Sequence, residues 1–167
     1  MAVTLVAEKP EHRNGIEAVL DRAFGPGRFA KTSERVRERG AHAEPSLTRV
    51  AVDDKGAVIG VCRISTIEAG APLYFLGPLA VDPGAQAAGL GLNLVREAVT
   101  ACRARSGAAI VLVGAERFFR PLGFSVVPEG RLKMPGPVDP ARFLWLELRR
   151  GGLDKIRGEI GGAVSEA

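Results

Sequence analysis

Residues 72–113 constrain the fold more than any other part of this 167-residue chain. They hold an apolar strand-like run at 72–82 (PLYFLGPLAVD), a loop at 83–91, an amphipathic helix expected over 92–104 and a second apolar run at 108–113 (AAIVLV). Leu94, Val95, Ala98, Val99 and Cys102 recur at helical spacing and mark the inner side of that helix. AAIVLV is apolar almost throughout, as in a strand buried on both faces. Gly77-Pro78 interrupts the first run, and proline cannot donate a ladder hydrogen bond. That dipeptide predicts a bulge, or a point where the strand leaves its neighbour.

The flanking sequence completes an alternation of strands and helices without repeats. Residues 2–7 read as a strand, and Pro10 opens a segment in which Ile16, Val19, Leu20 and Ala23 recur at helical spacing up to the breakers Gly25-Pro26-Gly27. A second, charged helix is expected over 29–39, ended by Gly40. The runs 47–53 and 57–67 flank Asp54-Lys55-Gly56 and predict a hairpin. Beyond residue 113 the pattern gives a helical turn at 115–121, a strand at 124–127, a Pro/Gly-rich connector at 130–140 and a strand at 142–149. One domain over 1–150 follows, with a C-terminal tail over 151–167 that adds little to the core.

The chain has 46% hydrophobic and 25% charged residues, which suits one ordinary core. No stretch approaches the ~20 apolar residues of a membrane helix, and MAVTLVAEKPEH has no basic leader, so a cytoplasmic location is expected, with no membrane partner. Cys62 and Cys102 lack zinc or redox spacing and read as reduced, buried thiols; no metal site is expected. A net charge of +4 suits an anionic partner. Specific nucleic-acid binding is not expected, because interleaved aromatics and a recognition helix are missing from the sequence.

Val81-Asp82-Pro83-Gly84-Ala85-Gln86-Ala87-Ala88-Gly89-Leu90-Gly91 lies between strand and helix. Small residues ahead of a helix leave backbone N–H groups uncovered, and the helix dipole adds positive potential, so the geometry suits a phosphate. The same pattern also serves as a plain tight turn. It is neither the dinucleotide fingerprint, which needs a third glycine, nor a P-loop, which needs Gly-Lys-Ser/Thr.

Gln86-x-x-Gly89-x-Gly91 after Leu79-Ala80-Val81-Asp82-Pro83 resembles the acyl-CoA motif of the GCN5-related N-acetyltransferases. Phe118-Phe119-Arg120-Pro121-Leu122-Gly123-Phe124 is similar to the later signature of that family, and the order of elements matches over residues 3–127. Pro135–Pro140 followed by a strand resembles an uncharacterised bacterial subgroup of predicted N-acetyltransferases. The resemblance implies an α/β fold on a mixed, mostly antiparallel central sheet flanked by helices. It implies acetyl-CoA or another acyl-CoA as co-substrate, with acetyl transfer to a small-molecule or protein amine by direct attack; a homodimer is a compatible assembly. The pantetheine arm would lie between the strands 79–81 and 109–113, on the main chain of Leu79, Ala80 and Val81. The pyrophosphate would meet Ala87, Ala88, Gly89, Leu90, Gly91 and Leu92, with Gln86 ordering the loop.

Two departures from the family pattern matter. Ala87 and Ala88 stand where many members carry a cation or glycine. Phe119 stands at the usual tyrosine acid and cannot donate a proton, so its expected role is packing against the cofactor. A CoA-binding sensor without turnover is the alternative that Phe119 favours. Candidate bases are Glu68 and Tyr74, expected at strand ends near the acceptor cleft, with a solvated carboxylate and a rim aromatic as the plainer alternative. His12 and His42 are isolated in sequence, and Arg117 and Arg120 are candidates for reaching the CoA phosphates.

Overall fold

The computed structural model describes residues 2–25, 36, 38, 40–85 and 89–161. The elements are β1 (Thr4–Ala7), α1 (Arg13–Phe24), β2 (His42–Ala43), β3 (Arg49–Val52), β4 (Val58–Glu68), β5 (Pro72–Val81), α2 (Leu90–Arg103), β6 (Ala109–Val113), α3 (Glu116–Phe119), β7 (Ser125–Val126), β8 (Leu132–Lys133), β9 (Phe143–Glu147) and β10 (Gly158–Glu159). The main sheet runs β1-β3-β4-β5-β6-β9-β7, with β2 also paired to β4. Among these pairings only β5–β6 is parallel. The expected mixed, mostly antiparallel α/β fold is therefore present. The charged helix expected over 29–39 falls outside the described residues except at Val36, which is buried, and Glu38, which is exposed.

Turn chemistry fixes the register of the first hairpin. The Asp53 carboxylate accepts the N–H groups of Lys55 at 2.9 Å and Ala57 at 2.8 Å, and Gly56 takes φ +81°. An L-side chain rarely adopts that conformation, so the glycine of the Asp-Lys-Gly turn is required there.

The two sheet faces are covered differently. On one, Leu90, Leu94, Val95, Ala98, Val99 and Cys102 of α2 pack with Ala51, Cys62, Ile64, Leu76, Ile110, Leu112 and Leu144. On the other, Ile16, Val19 and Leu20 of α1 pack on Val50, Val61 and Ala80. A third cluster joins Ile67, Leu73, Phe75, Val111, Phe143 and Trp145 to Val36, Ile156 and Ile160. Strand alternation places Val61 and Ile67 on one face of β4, so the α1 cluster and this third cluster share a face of the sheet.

The C-terminal segment corrects the expectation of a tail that adds little to the core. Ile156 and Ile160 are fully buried, β10 pairs with β8, and Gly161 bridges to Glu68. Arg131 ties the segment down, donating from Nε to the Ile156 carbonyl at 3.0 Å and from Nη2 to that of Leu153, with its guanidinium 5.3 Å from the Trp145 ring centroid. Polar spacing between the two isoleucines hides the segment in the sequence, because only two of its side chains enter the core.

Candidate functional site

β5 and β6 pair only at Tyr74↔Ile110 and Phe75↔Val111. Both strands continue, β5 to Val81 and β6 to Val113, so they part into a wedge. β6 stays paired with β9 along its whole length, and β5 stays paired with β4. The β5 edge facing the wedge from Leu76 to Val81 thus carries no ladder partner from β6. A buried backbone edge without a sheet neighbour is a ready row of donors and acceptors.

Gly77-Pro78 forms the bulge that the sequence predicts. Between Cys62↔Leu79 and Ile64↔Leu76, β4 advances two residues and β5 three. Gly77 takes φ +147°, which its missing Cβ allows, and Pro78 has no N–H to lose from a ladder. The bulge lies two residues past the last β5–β6 pair, where the strands begin to diverge. Leu79 and Val81 pack toward α2 and Ala80 toward α1, so their side chains belong to the core and only their main chain borders the wedge.

The wedge opens toward the first turn of α2. Gly89 caps that helix in the left-handed conformation, at φ 82°, and its carbonyl accepts the Asn93 N–H at 2.9 Å. The first-turn N–H groups of Leu90, Gly91 and Leu92 precede any intrahelical partner, and the helix behind them has 14 residues. A Cβ on Gly91 would meet only the Phe118 ring at 3.6 Å and Val81 at 3.9 Å, ordinary contact distances. The fold itself does not require glycine at 91, so the open space there is available to a ligand. Gln86, Ala87 and Ala88 lie outside the described residues.

Asp82 fastens this loop, a role the sequence reading missed. Its Oδ1 accepts the Gly84 N–H at 2.9 Å, and its Oδ2 accepts Arg22 Nη2 at 2.6 Å and Nε at 3.0 Å. The Gly84 amide, then the Arg22 guanidinium, holds the Asp82 carboxyl below the usual carboxylate range. The pair links the loop to the last turn of α1, 60 residues earlier in sequence. Only an Asp followed by Pro-Gly hinted at such a turn, and nothing in the sequence pointed to Arg22.

Several expected site residues are elsewhere. Tyr74 is 5% exposed, inside the α2-side core rather than at a rim, and its hydroxyl accepts the Gly107 N–H at 3.1 Å. It sits at the closed end of the wedge. Glu68 is exposed at the last position of β4, opposite Pro72 and bridged to Gly161. Leu79 lies seven residue steps along β5 from Pro72, roughly 23 Å of extended chain at about 3.3 Å per step. Their hairpin closes at the end of β5 away from the Leu79–Val81 segment, so neither side chain stands beside that segment.

Phe119 is 6% exposed, stacked edge-on between Phe118 at 4.8 Å and Phe124 at 5.6 Å. Its neighbour Phe118 is 38% exposed and borders Gly91. Successive residues on a short helix point about 100° apart, so the aromatic pair alone cannot say which ring reaches the loop. Arg120 is bound to Glu116 at 3.3 Å on an exposed face. The His12 Nδ1 accepts the Lys9 N–H, and His42 is an exposed residue of β2. No group of three or more potential metal-ligating side chains is present among the described residues.

Residues 14–124 match the acetyltransferase (GNAT) family. No curated protein matches the sequence. The structure is similar to a GNAT family N-acetyltransferase (YhbS) from Escherichia coli in complex with CoA, with 28% identity, a TM-score of 0.79, and 95% of this chain and 88% of that one covered. A GNAT family acetyltransferase from Brucella melitensis in complex with acetyl-CoA matches with 26% identity and a TM-score of 0.62 over 86% of this chain and 94% of that one. The ribosomal-protein-S18-alanine N-acetyltransferase of Escherichia coli shares the fold at 16% identity and a TM-score of 0.62, covering 88% and 94%.

Proposed function

Since the chain belongs to the acetyltransferase (GNAT) family, we propose that its β5–β6 wedge holds the pantetheine arm of acetyl-CoA and presents the acetyl group to an amine. The protein is an acyl-CoA-dependent N-acetyltransferase. The wedge carries this reading, because a β5 edge without a β6 partner beyond Phe75 matches an extended, amide-bearing ligand better than any side-chain cluster does.

Acetyl-CoA supplies an activated thioester, whose acyl carbon is the electrophile and whose thiol is a fair leaving group. The main chain of Leu79, Ala80 and Val81 binds the arm as a neighbouring strand would. The N–H groups of Leu90, Gly91 and Leu92, with the dipole of α2 behind them, receive the pyrophosphate. Gly89 and Gly91 keep side chains out of its way. Phe118 supplies an apolar wall beside Gly91, and Phe119 holds Phe118 and Phe124 in place from the core. With phenylalanine at 119, proton delivery to the departing thiolate falls to solvent or to the acceptor. Positioning then carries most of the rate enhancement.

The acceptor is a small-molecule or protein amine. Among the described residues no helix is long and apolar enough to cross a membrane, and the proposed setting is the cytoplasm, where acyl-CoA is made.

Release of CoA thiol from acetyl-CoA, measured against a panel of amines and a no-amine control, tests the reading. Amine-dependent release supports turnover; CoA binding without release from any amine supports the sensor alternative. Gly91→Glu places a carboxylate at the proposed pyrophosphate site in a position with room for it, so it should abolish CoA binding with little change in the melting temperature of the free protein. Retained CoA affinity in that variant would remove the loop from the site.

A further inference from the structure

Arg63 is the one charged side chain that is buried among the described residues, at 7% exposure, and the buried polar residues Thr48 and Ser65 lie near it. On β4, Val61 belongs to the α1 cluster and Ile67 to the C-terminal cluster. Alternation puts Arg63 and Ser65 between them on the same face, in a polar seam between two apolar packings. The seam runs up to the wedge, since Cys62 pairs with Leu79 and Ile64 with Leu76, which sets Arg63 opposite the Gly77-Pro78 bulge.

Glu8 comes to the same seam from the other side. It follows β1, in line with Thr48 and Arg63 through the pairs Ala7↔Arg49 and Arg49↔Cys62. Val6, two residues earlier, faces α1. The Glu8 Oε2 is 3.6 Å from Arg63 Nη2, and the backbone N–H of Glu8 donates to the Pro45 carbonyl at 3.2 Å. The other carboxylate oxygen, Oε1, is buried and has no hydrogen-bond partner among the described residues. A buried carboxylate oxygen without a donor is costly unless a ligand or water supplies one. Glu8 lies three strands from β5, roughly 14 Å across the sheet at about 4.8 Å per strand, before side-chain reach shortens the gap.

We propose that Glu8, held by Arg63, is the acceptor-recognition residue: its Oε1 receives an N–H of a second, protonated nitrogen on the acceptor while the first nitrogen attacks at the bulge. The substrate class is an aliphatic diamine or longer polyamine, with its two nitrogens separated by about the width of the seam. This rests on the acetyltransferase reading, and the test separates the two. Thermal shift by CoA is measured first; its absence would defeat the acetyltransferase reading. Binding of diaminobutane, diaminohexane and diaminooctane, each against the monoamine of equal length, is then measured by calorimetry on the CoA-saturated protein.

The proposal expects the longer diamines to bind at least tenfold more tightly than their monoamines. Glu8→Gln should erase that preference while leaving the CoA thermal shift and the weak monoamine affinity unchanged, and Glu8→Asp should restore part of it. In turnover, Glu8→Gln should raise KM for diamines with kcat nearly unchanged, since the residue holds the distal nitrogen and not the reacting one. If CoA binds but diamines show no advantage, or if the advantage survives in Glu8→Gln, the proposal is overturned. Preference for amines bearing a carboxylate would overturn it in favour of Arg63 as the recognising group.

Discussion

At the scale of single residues, charge and burial set distinct behaviours. Asp82 has its carboxyl held low by the Gly84 amide and Arg22, so the stability it adds is present above its unfolded value, near pH 3.9, and lost as pH falls through the lower folded value. Asp82→Asn should therefore melt lower than the parent at neutral pH, and the difference should close on acidification below about pH 4. Arg22 is 49% exposed, so solvent screens the pair, and the effect should stay under about 1 kcal/mol, a few degrees at most. Melting curves of both proteins across pH 2–7 measure it. The thiols behave oppositely. Burial pushes Cys102 up to about 12 and Cys62 higher still, so neither forms thiolate near neutrality. Iodoacetamide at pH 8 should leave both unmodified by mass spectrometry until denaturant is added.

Among the elements, the C-terminal segment is the most exposed to test. Ile156 and Ile160 are fully buried in the cluster that also holds Phe75 and Trp145, so either isoleucine changed to alanine should lower stability by about 2–4 kcal/mol, read from urea unfolding. A loss within 0.5 kcal/mol would show that the segment only decorates the sheet. The same cluster borders the Arg63 seam, so these variants should also weaken amine-dependent turnover more than CoA binding. The wedge is an element-scale feature as well. Proline at 78 and glycine at 77 make the bulge, but the divergence needs β6 to follow β9 while β5 follows β4.

For the whole molecule, ligand linkage is the direct measure. At one hundred times its dissociation constant, CoA should stabilise the folded state by about 2.7 kcal/mol, which for a domain of this size is roughly 5–10 °C. The proposed placement of pantetheine in the wedge predicts a larger shift with CoA than with adenine nucleotides lacking that arm. Equal shifts would place the binding energy in the loop alone. With a net charge of +4, the CoA shift should shrink as salt rises, and any association with DNA should be weak and displaced by CoA.

The sequence by itself determined the order of elements, the Gly77-Pro78 bulge, the turn at Asp54-Lys55-Gly56, the buried thiols and the strand–loop–helix unit with its family motif, because periodicity, proline and glycine act locally. Only the tertiary structure decided which residues meet. It put Tyr74 in the core at the closed end of the wedge and Glu68 at the hairpin end of β4, since their place depends on where the β4–β5 hairpin closes. It set the Phe118 ring beside Gly91 and stacked Phe119 on Phe118 and Phe124, a matter of which way a short helix faces. It joined Asp82 to Arg22 and Glu8 to Arg63 across 60 and 55 residues, by strand and helix packing that no local pattern encodes.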